Sequence, residues 1–224
     1  MSLISSISKI RRLNIHEAVT IFGRGFTQSS HHPIVETLLK YDSDNSLCYK
    51  ASPLYKYHTA FIPLNTGHAM GFDVSECDLP VFQYPWGGFR LNYLGDKSQE
   101  SSRFCGPTAD NLIQSEFEST LSLYESIRSS GYKMLSKRSL IGGTFLINRR
   151  GERRFVVLQG NHRMSVLSSL GYKKIFVYTM TGYHNYIYES SVDQWRMVRE
   201  GKCSRSQALR LFSSFFSGQG NFAY

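Results

Sequence analysis

The chain has 224 residues, 41% hydrophobic and 19% charged, with a formal net charge of +9. That composition excludes a disordered chain and fits one large domain, or one ordinary domain with decoration, around a real core. The charge points to anionic partners (nucleotides, nucleic acid, phosphorylated sugars or a membrane surface), although surface lysines and arginines alone would give the same balance. Cys48, Cys77, Cys105 and Cys203 are widely spaced with no CxxC pair. They argue against a zinc site or a disulfide framework, and reduced thiols point to the cytoplasm. No positive start followed by an apolar run supports a secretory signal, and no stretch reaches the roughly 20 apolar residues of a membrane helix.

Residues 1–40 read as mostly helical, with Ile4, Ile7, Ile10 and Arg11 on one rough face. The apolar run from His16 to Phe22 is broken by Gly23 and Gly25, and Pro33 suits the first position of a helix through Ile34, Leu38 and Leu39. Residues 42–52 read as loop. Residues 53–95 are punctuated by Pro53, Pro63, Pro80 and Pro85, which predicts irregular structure with one or two short strands, such as Val81-Phe82-Gln83-Tyr84. Residues 96–103 form a polar loop.

From Gly106 the pattern becomes regular. Phe117, Leu121, Tyr124 and Ile127 recur at helical spacing, and Gly131 ends that helix. Strands are predicted at 141–147 and 154–158, on either side of the turn Arg149-Arg150-Gly151-Glu152. Gly160 opens a turn, a helix follows over about 162–170, Gly171 caps it, and a third strand covers 174–178. The tail predicts two helices, 192–200 and a second capped by Ser204 and running to about Phe216.

The unit strand–Gln159-Gly160-Asn161-His162-Arg163–helix carries the chemistry. Backbone N–H groups at a helix N-terminus lack intrahelical partners, and the dipole favours an anion there. Gly160 allows close backbone approach to a phosphate, Arg163 supplies a planar fork of donors, and His162 can move a proton near neutral pH. Taken alone the motif is also compatible with a plain connection.

The stretch 123–178 resembles the N-terminal domain of the ParB family and its relatives, the sulfiredoxins and free-serine kinases. The resemblance runs through Leu123-Tyr124-Glu125-Ser126-Ile127-Arg128-Ser129-Ser130-Gly131, then Ser139-Leu140-Ile141 and Thr144-Phe145-Leu146-Ile147, then Arg154 to Arg163, then Val166 to Val177. It covers about a quarter of the chain and extends weakly to Gly106-Pro107-Thr108. It implies an α+β, ParB/sulfiredoxin-like core at 106–180 with a small mixed sheet and packed helices. Around that core stand an N-terminal α-rich, irregular and aromatic lobe at 1–105 and a C-terminal helical pair at 181–224. It further implies that Gly160, Asn161, His162 and Arg163 hold the phosphates of a nucleotide, ATP or CTP with Mg²⁺, with no metal ligand assigned. Asn161 stands where sulfiredoxins have their reactive cysteine, which argues against sulfinic-acid reduction. Gln159 replaces an aspartate found in many relatives.

The activity implied is that of an NTP-dependent phosphotransferase or NTPase with a small hydroxylated or carbohydrate acceptor, whether or not turnover occurs. His162, Glu116 and Glu118 are the candidate catalytic residues, and Asp110 is a weaker one. Both glutamates would equally suit a solvated first turn. The alternative is a nucleic-acid-binding or nuclease-like ParB-type module, not favoured because the family's DNA-binding helices have no room here. His31-His32 reads as a solvated helix entrance. His58 and His68 match no helical metal spacing. Tyr55, Tyr57, Phe61, Tyr84, Trp86 and Phe89 read as packing. The tail helices read as packing on the core, not as a helix-turn-helix.

Overall fold

The structure is a computed structural model that describes residues 10–88, 104–133, 139–180 and 185–217. The chain runs β1 (Ile10–Asn14), β2 (Ala18–Val19), α1 (Pro33–Ser43), α2 (Pro53–Ala60), α3 (Thr66–Ala69) and α4 (Asp110–Ser130). It continues through β3 (Ile141–Ile147), β4 (Arg153–Gln159), α5 (Asn161–Ser169), β5 (Lys174–Thr179), β6 (Tyr186–Tyr188), α6 (Arg196–Arg199) and α7 (Arg205–Ser217). This is a mixed α/β fold, consistent with the expected α+β class.

Among the described residues six strands form one mixed sheet in the order β1-β5-β3-β4-β2, with β6 beside the far half of β3. β3 pairs antiparallel with β4, placing Phe145 opposite Phe155, and parallel with both β5 and β6. β3 is buried along nearly its whole length and β4 over its centre, residues 155–158, as expected of strands covered on both faces. Successive side chains of a strand point to opposite faces. Phe155 and Val157 accordingly enter one core with Leu38 of α1, Phe117 and Ile127 of α4 and Met164 and Leu167 of α5. Val156 and Leu158 enter the other, with Tyr84, Trp86, Trp195 and Leu211, Phe212 and Phe215 of α7. The segments 1–105, 106–180 and 181–224 share this one sheet, because β1 and β2 come from the first and β6 from the third.

Four local expectations need correction. Residues 10–14 are a strand, not a helix. Ile10-Arg11-Arg12-Leu13 is claimed by the edge of β5, with Ile10 opposite Tyr178 and Leu13 opposite Ile175; Ile4 and Ile7 lie outside the described residues. Residues 53–60 are a helix, since Pro53 occupies its first turn and the Ser52 hydroxyl caps it, accepting from the Tyr55 N–H at 3.1 Å. Residues 81–84 are a turn, not a strand: the Gln83 N–H donates to the Pro80 carbonyl at 2.9 Å, Phe82 has a φ of 71°, and Tyr84 is wholly buried with its hydroxyl on the Ile21 carbonyl. The expected helix at 192–200 is a 3₁₀ stretch and the short α6, parted at the extended and buried Trp195. The polar loop 96–103 and Phe89 lie outside the described residues.

Other expectations agree closely. α1 starts at Pro33 as read. Ser204 and Gln207 cap α7 reciprocally, at 3.2 and 2.9 Å. Among the described residues no helix is long and apolar enough to cross a membrane.

The sheet depends on a bulge in β3 where the register shifts between Gly142 and Gly143. A Cβ on Gly143 would lie 2.1 Å from the Val156 carbonyl oxygen and 2.7 Å from the Phe155 ring. Gly143→Ala is therefore expected to cost ~3 kcal/mol or more. Gly151→Ala, at a positive φ but in open space, should cost ~1 kcal/mol. Urea unfolding of the two variants measures the difference, and equal losses would contradict this account of the bulge.

Candidate functional site

β4 ends at Gln159, and Gly160 turns the chain into α5 with a φ of 91° and a ψ of 30°, a left-handed conformation that favours glycine. A Cβ here would also press on Ile141 Cγ1 at 3.2 Å and on Arg163 Nη1 at 3.3 Å. The first helical bond runs from the Met164 N–H to the Gly160 carbonyl at 2.9 Å. The N–H groups of Asn161, His162 and Arg163 therefore sit at the open end of the helix. That end faces a cleft of about 570 Å³, lined by Gly160, Asn161, His162 and Arg163 from this turn. Arg163 Nη1 donates to the Leu140 carbonyl at 3.0 Å, which fixes its guanidinium against β3. Asn161 Oδ1 is buried without a hydrogen-bond partner. Gln159 instead accepts from the Tyr178 hydroxyl at 2.8 Å.

α4 brings the acid. Its apolar spacing extends back through Ile113, Phe117, Thr120, Tyr124 and Ile127, so the helix begins at Asp110 and Glu116 lies in its second turn. The glutamates are thus not first-turn residues. Glu116 Oε1 is 2.8 Å from His162 Nε2, and Oε2 is 3.4 Å from His58 Nε2. Glu118, two residues on, is on another side of the helix, exposed and accepting from Gln114 Nε2 at 2.8 Å. Asp110 is also exposed and accepts from the Tyr49 hydroxyl. Neither lines the cleft.

The second histidine is held by backbone packing. Gly106 N–H donates to the Phe61 carbonyl at 2.7 Å, and a Cβ there would fall 2.2 Å from the His58 carbonyl oxygen. The loop before α4 can rest directly on α2 only because this residue is glycine. His58, 1% exposed, shares a hydrogen bond between Nδ1 and the Thr108 hydroxyl at 3.1 Å while its Nε2 meets Glu116. Burial alone would push the Glu116 carboxyl up. The hydrogen bonds and charge of His162 and His58 outweigh burial and hold it down, to about 2.

Three cleft residues escaped the sequence reading. Arg24, 3% exposed, comes from the loop after β2 and donates through Nη1 to the His31 carbonyl. His32, 4% exposed, stacks on Phe26 with ring centroids 4.6 Å apart. The third is His58. The expectation of a solvated His31-His32 is right only for His31, which pairs with Glu36 at 2.8 Å. A charged residue inside the apolar run Ile21-Phe22-Gly23-Arg24-Gly25-Phe26 was the available signal for Arg24. His68 is exposed and accepts from the Leu64 N–H. Tyr84 and Trp86 stack in the core, and Tyr55 packs on Tyr49, as expected of packing aromatics. Tyr57 both packs on Phe61 and lines the cleft. Among the described residues no group of three or more His, Cys, Asp or Glu is arranged to hold a metal ion.

Comparison with protein families, with curated proteins and with solved structures finds no match to this chain.

The Glu116 arrangement has a pH signature. Its folded carboxyl lies below the ordinary 4.5, so the contribution to stability is complete above about pH 4.5 and is lost as pH falls towards 2. The loss should be on the order of 3 kcal/mol. Glu116→Gln should remove that part of the acid sensitivity, read as urea midpoints at successive pH values for both proteins. Identical acid slopes would contradict the two-histidine contact.

Proposed function

We propose that the cleft binds a nucleotide, ATP or CTP, through its phosphates at Gly160, Asn161, His162 and Arg163, and that the protein transfers a phosphoryl group to a small hydroxylated or carbohydrate acceptor. The observation that carries this reading is the open N-terminus of α5 at a cleft that also holds Arg163 and the His162–Glu116 pair. Helix-end N–H groups and a guanidinium match phosphate oxygens in charge and in donor geometry. The ParB/sulfiredoxin-like reading belongs to the same proposal and rests on the β3–β4–α5–β5 unit.

Phosphoryl transfer asks for positioning, charge neutralisation and a proton acceptor. In the neutral form of His162 whose Nε2–H donates to Glu116 Oε1, Nδ1 carries the lone pair, and that is the form the proposed step uses. In the proposed step the acceptor hydroxyl gives its proton to Nδ1 while its oxygen bonds to the terminal phosphorus. The bond from phosphorus to the leaving nucleoside diphosphate breaks with its electron pair. Glu116 stabilises the imidazolium that results, and His58 holds Glu116 from its other oxygen. Mg²⁺ is expected to accompany the nucleotide, since it commonly binds phosphates together with one or two carboxylates. Glu116 is the one carboxylate among the cleft-lining described residues, and both its oxygens meet imidazoles. The residues do not fit a resident metal, and no step here runs through one.

The nucleic-acid alternative gains nothing from the tail. Lys202 pairs with Glu200, Arg205 with Asp193 and Arg210 with Glu76. These cations are engaged within the fold.

Arg163→Ala is expected to weaken ATP binding by about tenfold or more, the worth of a hydrogen bond to a charged group. His162→Gln should lower turnover by about a hundredfold, with KM changed far less. Calorimetric titration of ATP and CTP, followed by nucleoside diphosphate release with hydroxylated acceptors, measures both. Undiminished nucleotide affinity in a folded Arg163→Ala protein would sink the proposed phosphate site.

A further inference from the structure

β1 and β5 form one end of the sheet. On one face there, Leu13, Ile175 and Val177 enter the core of α1, α4 and α5. The residues that alternate with them point to the opposite side. They are Arg12 of β1 and Lys174, Phe176 and Tyr178 of β5, with Arg12 directly across from Phe176. Arg12 and Lys174 are exposed and Tyr178 is half-buried. Phe176 is 41% exposed and makes no ring contact with another described residue.

Tyr178 is held against the sheet by its neighbours. A Cβ on Gly142 of β3 would fall 2.8 Å from the Tyr178 Cζ and 2.9 Å from its Oη, so the ring crosses that strand only because residue 142 is glycine. Its hydroxyl then donates to Gln159 Oε1, at the end of β4, at 2.8 Å. Phe176 stands about 7 Å away along the same strand and on the same face. Two rings set on an open sheet face match the way sheets receive unstacked bases.

The charges suit the same ligand. β1 and β5 contain Arg11, Arg12 and Lys174 and no acidic residue. Arg12 and Lys174 form no ion pair with a described residue, whereas Arg205 and Arg210 of the tail are paired. Cations beside open rings meet the phosphates on either side of a stacked base. An anionic membrane would meet the cations without stacking on the rings, and a duplex keeps its bases inside.

We infer that this face of β1 and β5 binds single-stranded RNA, with bases stacked on Phe176 and Tyr178 and phosphates at Arg12 and Lys174. RNA is the form whose splayed, single-stranded bases proteins receive on such rings. The Gln159 amide N–H groups, without a partner among the described residues, stand beside Tyr178 as donors for a 2′-hydroxyl. None of Arg12, Lys174, Phe176 and Tyr178 lines the cleft, so the inference is independent of the nucleotide reading.

The test is fluorescence anisotropy of the full chain with labelled oligouridylate of about ten nucleotides. The matching oligodeoxyuridylate, an RNA duplex of the same length and vesicles containing phosphatidylserine serve as comparisons. Single-stranded RNA is expected to bind about tenfold or more tightly than the duplex, and Phe176→Ser should weaken it about tenfold. Arg12→Gln and Lys174→Gln should each reduce the slope of log affinity against log salt by about 0.7. Phe176 is exposed, so its variant should keep the fold, checked by circular dichroism, and bind ADP as the unaltered protein does. Duplex binding as tight as single-strand binding overturns the inference, as does a Phe176→Ser protein that binds RNA undiminished, since charge alone would then account for the affinity. Binding to vesicles with none to either oligonucleotide also overturns it. A deoxy strand bound as tightly as RNA would uphold the stacking face and overturn its assignment to RNA.

Discussion

The carboxylate of Glu116, held between the imidazoles of His162 and His58, ties together parts of the chain that no local pattern connects. It comes from α4, and its partners come from α5 and α2. A carboxylate with 15% of its side chain exposed is costly without compensation, and the two imidazoles provide it. The consequence reaches the helix phase. Glu116 must face α5 while Ile113, Phe117, Thr120 and Tyr124 face the core, and both hold because Glu116 sits at the edge of the buried stripe, next to Phe117. It also reaches the loop before α4, which must lie flat on α2 at Gly106 for His58 to meet the acid.

The sheet supplies the rigid frame for that contact. β4, buried over residues 155–158, ends where Gly160 turns into α5, beside the start of the buried β3. The open end of α5 therefore lies just beyond the carboxyl end of β4, backed by Ile141 and by the Leu140 carbonyl that holds Arg163. Helix termini beyond strand ends are natural anion sites, because several N–H groups converge there with the dipole behind them. The cores on either side of the sheet differ in kind. One is built from helices α1, α4 and α5, and the other is dominated by stacked aromatics from the Tyr84-Pro85-Trp86 segment and α7. The cleft draws its walls from both, Ile34 and Leu54 from the first and Phe22 and Tyr57 from the second, whereas Tyr84 and Trp86 do not line it and serve packing.

The central unit was legible in the sequence for a local reason. The strands read at 141–147 and 154–158, the Gly160 turn and the helix after it follow from apolar runs, a hairpin turn and a glycine within one short stretch; the second strand runs one residue further at each end. β1 was misread because Ile4, Ile7 and Ile10 mimic a helical face, while its strand state is imposed by pairing with β5, more than 150 residues away in the chain. The choice between Glu116 and Glu118 turns on helix phase, and phase could not be set until the start of α4 was known. Arg24, His32 and His58 were not assigned to the site because each joins it through a contact with a distant segment. Only the oddity of an arginine in an apolar run marked Arg24 beforehand. The part that the N-terminal hundred residues play in the cleft is thus a tertiary property.

The central claim is that phosphate binds at the open end of α5 beside the His162–Glu116 pair. The most direct measurement is a crystal structure of the protein with a non-hydrolysable ATP analogue. The account predicts phosphate oxygens within hydrogen-bond distance of the Asn161, His162 and Arg163 N–H groups and the Arg163 guanidinium, with Glu116 still held by both histidines. An analogue seated elsewhere on the protein, with the end of α5 bare, would contradict it.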